Sequence, residues 1–164
     1  MASVGLVRGG FGMRWWPTLR GSWLVLRANQ RWAPVPDNDP EGARRTMARF
    51  YRVVAAASGE PLDADRAAEL EVGWWRAHRE AQRGDPSDRA VRQAALVDAL
   101  TALYAFVYRV PDDEVRPAAV LRAEAMDVSD RWVAAGCDAD SDLLADEERL
   151  LVRSYASLLA AVHR

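Results

Sequence analysis

Residues 68–80 read AELEVGWWRAHRE, which sets Glu71 and His78 two helical turns apart with Trp75 between them. Side chains at those spacings leave a helix on one side. A carboxylate and an imidazole so placed can share a metal ion or relay a proton, with the indole as a dry or stacking wall. In the structural alternative, Glu71 and His78 lie at the margin of a core and pair with arginines. Gly73 stands alone in the middle of this segment, where glycine costs about 1 kcal/mol against alanine. Close approach of another helix or of a ligand is the reason to expect for it.

Further acids stand downstream. Asp98 lies among Ala94, Ala95, Thr101 and Ala102, so it needs either a closely packed helix offering an arginine or a cavity that something fills. Tyr104 and Tyr108 are four apart, as core aromatics with wet hydroxyls often are. Glu124, Asp127 and Asp130 follow one another at spacings of three, and Asp127 with Arg131 forms an (i, i+4) ion pair. The acids read in two ways. They are a solvated face with local pairs, or Asp127 or Asp130 joins Glu71 and Asp98 in an oxygen cage of the kind Mg²⁺ prefers. In the second reading Glu71, Asp98, Asp127 and Asp130 are the metal ligands, Glu71 and His78 carry the chemistry, and Trp75, Tyr104 and Arg131 contact the substrate.

The run EVGWWRAHREAQRGD, followed by LVDALTALYAFVY, resembles the all-α nucleoside triphosphate pyrophosphohydrolases of the MazG type over residues 68–108. In that family one helix bears Glu-Glu-x-x-Glu and a second bears Glu-x-x-Asp or a paired Asp pattern before an aromatic, and the carboxylates hold Mg²⁺ on a nucleoside triphosphate. Glu71 matches one acid of the first motif and Asp98 one of the second. Leu70, Trp74 and Ala102 or Thr101 stand at the other acidic positions, so Glu124, Asp127 or Asp130 would have to complete the set. The resemblance implies an all-α fold, Mg²⁺ and a degenerate nucleotide pyrophosphohydrolase.

These residues need helices to carry them, and the punctuation supplies five. Asp39 caps and Pro40 opens a helix that Gly59 stops, with Met47, Phe50, Tyr51 and Val54 in register. A second runs from Asp63 to Gly84, with Ala67, Leu70, Trp74, Ala77 and Ala81 as its main apolar stripe. A third begins near Ser87 and ends before Pro111. The fourth occupies about 117–135 and the fifth about 141–163. Five amphipathic segments without strand alternation predict an all-α bundle.

Composition bounds the rest. Half of the 164 residues are apolar, enough for a core of one domain's size. Residues 1–38 read as a basic, tryptophan-rich extension without helical period, in which SWLVLR is a short extended piece; residues 39–164 read as the helical domain. Residues 1–36 carry Arg8, Arg14, Arg20, Arg27 and Arg31 and no acid, against a net charge of −2 for the whole chain. The acidic body argues against a nucleic-acid partner. Cys137 is the single cysteine, which excludes an intramolecular disulfide and points to a reducing, cytoplasmic setting; a small side chain at least half-buried is expected for it. No run of about 18 apolar residues is apparent, so neither a membrane span nor a membrane partner is expected.

Two functions follow from the sequence. One is a small-ligand protein of the Mg²⁺-dependent kind described above. The other is a non-catalytic interaction module whose N-terminal tryptophans and arginines bind a partner chain, a second copy included.

Overall fold

The computed structural model describes residues 14–33, 37–83 and 86–163. Among these residues every regular element is helical, so the chain is all-α. The helices are α1 (Trp15–Trp32), α2 (Pro40–Ser58), α3 (Ala64–Arg83), α4 (Arg89–Tyr108), α5 (Asp112–Ala134) and α6 (Asp142–Val162), with a 3-10 turn at Pro86–Asp88 before α4. The chain groups into two compact units, one running to Gly73 and the other from Trp74 onward, so α3 contributes its first half to one and its second half to the other.

In the first unit α1 packs on α2. SWLVLR is therefore helical, not extended. Only Thr18, Gly21, Leu24 and Ala28 are buried on α1, a stripe at helical spacing built mostly from small residues. Trp15, Trp16, Leu19, Trp23 and Leu26 point the other way. Pro17 falls in the first turn, where its missing N–H is no loss.

Asp39 caps α2 as its position predicts, its carboxylate accepting from the Gly42 N–H at 2.7 Å. Arg31 at the end of α1 donates to the Gly42 carbonyl at 3.2 Å and lies 3.8 Å from the Asp39 carboxylate. A Cβ at residue 42 would collide with Asp39 and approach Arg31 Nη1 to 2.6 Å. This tight corner fixes how α1 joins α2. Gly59 closes α2 at a φ of 75°, the left-handed conformation that glycine adopts without penalty. Asp63 starts α3 by accepting from the Asp65 and Arg66 amides at 3.1 and 3.0 Å.

In the second unit α4 packs on α5 and α5 on α6. Leu96, Val97 and Leu100 meet Ala119, Ala123 and Met126, with Trp74, Ala77 and Tyr104 against the cluster. Val115 and Ala118 meet Leu158 and Ala161. The alanines on both faces of α5 leave room for close approach, and Ser154 uses it: its buried hydroxyl donates to the Ala118 carbonyl at 2.9 Å. By length and apolarity α4 meets the requirement for a membrane span, which the sequence reading did not anticipate; its leucine face is packed against α5.

Helix α5 begins five residues before Pro117, which lies inside it. Asp112, Asp113 and Glu114 fill the first turn, where carboxylates are favoured by the helix dipole. Cys137 is exposed, not half-buried, and has a φ of 62° directly after Gly136 at 98°.

Among the described residues, a Cβ built at Gly73 meets no heavy atom within 4 Å, so no described helix approaches it closely. Gly73→Ala is therefore expected to stabilise the protein by about 1 kcal/mol through helix propensity alone. A thermal melt should rise by about 2–4 °C; a fall would show that the backbone at 73 needs its freedom.

Candidate functional site

The acids singled out by spacing are distributed between the two units, and Glu71, Asp98, Asp127 and Asp130 each meet a partner on another helix. In the first, Glu71 accepts a hydrogen bond from the Tyr51 hydroxyl at 2.7 Å. Tyr51 is buried on α2, so Glu71 anchors a core phenol to α3. In the second, Asp98 is exposed and pairs with Arg116 of α5 at 2.8 Å. The arginine expected for an acid among small residues is present, though at the surface. Asp127 is held by Arg89 from α4 and, at 3.5 Å, by Arg131 one turn on. Glu124 is exposed.

These placements predict different costs. Glu71→Ala removes an acceptor from a buried hydroxyl and should destabilise by about 1–2 kcal/mol. Asp98→Ala breaks an exposed pair and should change stability by less than about 1 kcal/mol. Chemical denaturation of both variants checks the ordering; equal costs would show that burial at Tyr51 is not what makes Glu71 matter.

His78 and Asp130 are brought together. His78 Nε2 lies 3.2 Å from Asp130 Oδ2, and Gln82 donates to Asp130 Oδ1 at 2.7 Å. Gln82 and Asp130 belong to the lining of a surface pocket of about 490 Å³, together with Arg89, Arg92, Asp127 and Arg131. The result is a carboxylate–imidazole pair reinforced by an amide, between His78 and an acid other than the Glu71 with which its spacing associates it. Among the described residues no three His, Cys, Asp or Glu side chains gather as a metal site.

Trp75 is buried, 6% exposed, while Trp74 is only partly so and stands edge-on to it with ring centroids 6.1 Å apart. Of the two tryptophans Trp75 is thus the more deeply buried, although Ala67 and Ala77 of the main apolar stripe also face the interior. Tyr104 packs against both clusters of the second unit and meets Tyr108 edge-on, a core aromatic. Burial, with the nearby charge of Arg83 adding to it, lowers the pKa of Arg79 on the same helix.

The other candidate surface lies on α1. Trp15, Trp16 and Trp23 are 57%, 79% and 58% exposed, and Leu19 and Leu26 are exposed beside them. At 3.6 residues per turn these five fall within about 100° of one another around the helix, opposite the buried stripe. Arg27, Arg20 and Arg31 follow in the next sector of about 60°. Trp16 and Arg20 also border a groove of about 580 Å³ with Arg49, Arg52, Val53 and Ala57 of α2. Arg52 is paired with Asp65 at 2.8 Å, whereas Arg20 and Arg49 make no ion pair with any described carboxylate.

The sequence reading named the tryptophans and arginines but missed Leu19, Leu26 and Arg49. The repeat 15, 19, 23, 26 was the available signal, hidden because the outward face of α1 is more apolar than the inward one. Arg8 lies outside the described residues. Compared with known proteins, the chain matches no family model, no curated protein and no solved structure.

Proposed function

We propose that this chain is a non-catalytic docking module whose contact surface is the outward face of α1. The observation that carries this reading is the exposure of three tryptophans and two leucines on one face of a helix whose opposite face is packed. Leaving that much apolar surface in water serves no folding purpose, and exposed apolar patches rimmed by charge mark interaction sites. A photo-reactive amino acid at Leu26, compared in the source cells with one at Val152 on α6, tests it. Adducts should concentrate at Leu26 and disappear on Trp16→Ser with Trp23→Ser; equal labelling at both positions overturns the reading.

A second reading, a small-ligand site, is favoured by the pairing of His78 with Asp130 beside the pocket at Asp127 and Arg131. In its Mg²⁺-dependent nucleotide form it predicts a rise in melting temperature with Mg²⁺ and a nucleoside triphosphate together. Ligand at about a hundredfold over Kd adds roughly 2.7 kcal/mol. The shift should be lost in Asp130→Ala; absence of any shift across a nucleotide panel removes this form of the reading.

A further inference from the structure

We infer that the occupant of the α1 face is an anionic lipid surface, on which the helix lies with its tryptophans and leucines in the interfacial layer and its arginines at the headgroups. This rests on the docking reading above and names its partner.

Three observations select lipid. The first is shape at the level of the helix. Trp15, Leu19, Trp23 and Leu26 stand on the convex outside of α1 and Trp16 beside them, all exposed. A protein partner must bring a groove cut to such a ridge, whereas a bilayer interface accepts any helix of this profile. The second is residue type. Indoles are favoured where an apolar ring must sit beside water and headgroups, and three on one face of an 18-residue helix match that layer.

The third is charge. Residues 1–36 hold five arginines and no acid, and Arg20 and Arg49 have no carboxylate partner among the described residues. Arg27 donates to the neutral Gln30 at 2.9 Å and pairs with no carboxylate among the described residues. Cationic side chains left unpaired along one edge of an apolar face complement lipid phosphates. The groove at Trp16 adds to this charge, lined by apolar Val53 and Ala57 together with Arg20 and Arg49, while Arg52 on the same lining is paired with Asp65. The expectation of no membrane partner was argued from spanning, and a helix lying in the interface does not span.

The test is co-sedimentation of the full chain with phosphatidylcholine vesicles, with and without phosphatidylglycerol as about one third of the lipid, at low and high salt. Quenching of tryptophan emission by acyl-brominated lipid is read in parallel. The expected result is binding to the anionic vesicles only, weakened by salt, with quenching. Arg20→Gln and Arg49→Gln should each weaken it about fivefold, and Trp15→Ser, Trp16→Ser and Trp23→Ser together should abolish quenching while helical circular dichroism is unchanged. The arginine variants, being surface changes, keep the test valid if the tryptophan variant misfolds.

No binding to anionic vesicles, or equal binding to neutral ones, overturns the proposal. If the chain then sediments as a dimer that the tryptophan variant dissociates, the face is a contact between copies and the docking reading survives. Selective adducts at Leu26 in a chain that binds no vesicles would mean a protein partner. Equal labelling at Leu26 and Val152 with no vesicle binding removes the docking reading as well.

Discussion

Leu100→Ala is expected to destabilise the protein by about 3–5 kcal/mol, the upper part of the range for a large-to-small change in a core that cannot collapse. Leu100 is 1% exposed and sits on α4 one turn beyond Leu96 and Val97, in one cluster with Ala119 and Ala123 of α5. The partners across the seam are alanines, with no flexible ends to move into a vacated space. Met126 is the adjustable side chain of the cluster, and it is 8% exposed at the margin. Urea denaturation of Leu100→Ala beside Leu100→Met separates volume from shape: Met keeps the volume and should cost less than about 1.5 kcal/mol. Costs of similar size for the two would mean that the shape of the Leu side chain, not its volume, holds the seam.

The ends of the helices were legible in the sequence because caps are local. Asp39 with Pro40, Gly59, Asp63 and Ser141 each act within a few residues of themselves, and each stands where its type predicts. Pro117 misled for a local reason too. A proline can open a helix, and here it lies in the second turn after an acidic first turn had already formed. Helix α1 was illegible because apolar periodicity locates a buried face only when the large residues point inward. Thr18, Gly21 and Ala28 carry almost no such signal, and the exposed tryptophans carry it in the wrong direction.

The candidate acids were legible as residues and not as a set. What decides the role of a carboxylate is its partner, and apart from Arg131 beside Asp127 the partners come from other helices at separations that no motif encodes. Arg116 reaches Asp98 and Arg89 reaches Asp127 across the α4–α5 seam. Tyr51 reaches Glu71 from α2. His78 and Asp130 lie 52 residues apart in sequence, and only the packing of α3 near α5 makes them a pair.

Trp75→Ala is expected to cost about 3–5 kcal/mol, the loss typical of a buried aromatic, and this decides whether the GWWRAH segment is core or site. At 6% exposure the indole has left water almost completely, and its edge-on contact with Trp74 adds to the burial of area. Trp74→Ala removes a ring that is only partly buried, so its cost should be about half as large. A tryptophan lining a ligand site shows the opposite pattern: removing it weakens binding while the fold keeps its stability. Measured against one another by denaturation, the two variants should differ by about 1.5–2.5 kcal/mol with Trp75 the costlier. If Trp75→Ala melts with the parent protein, the ring is not part of the core, and the helix bearing Glu71 and His78 would again be the wall of a site.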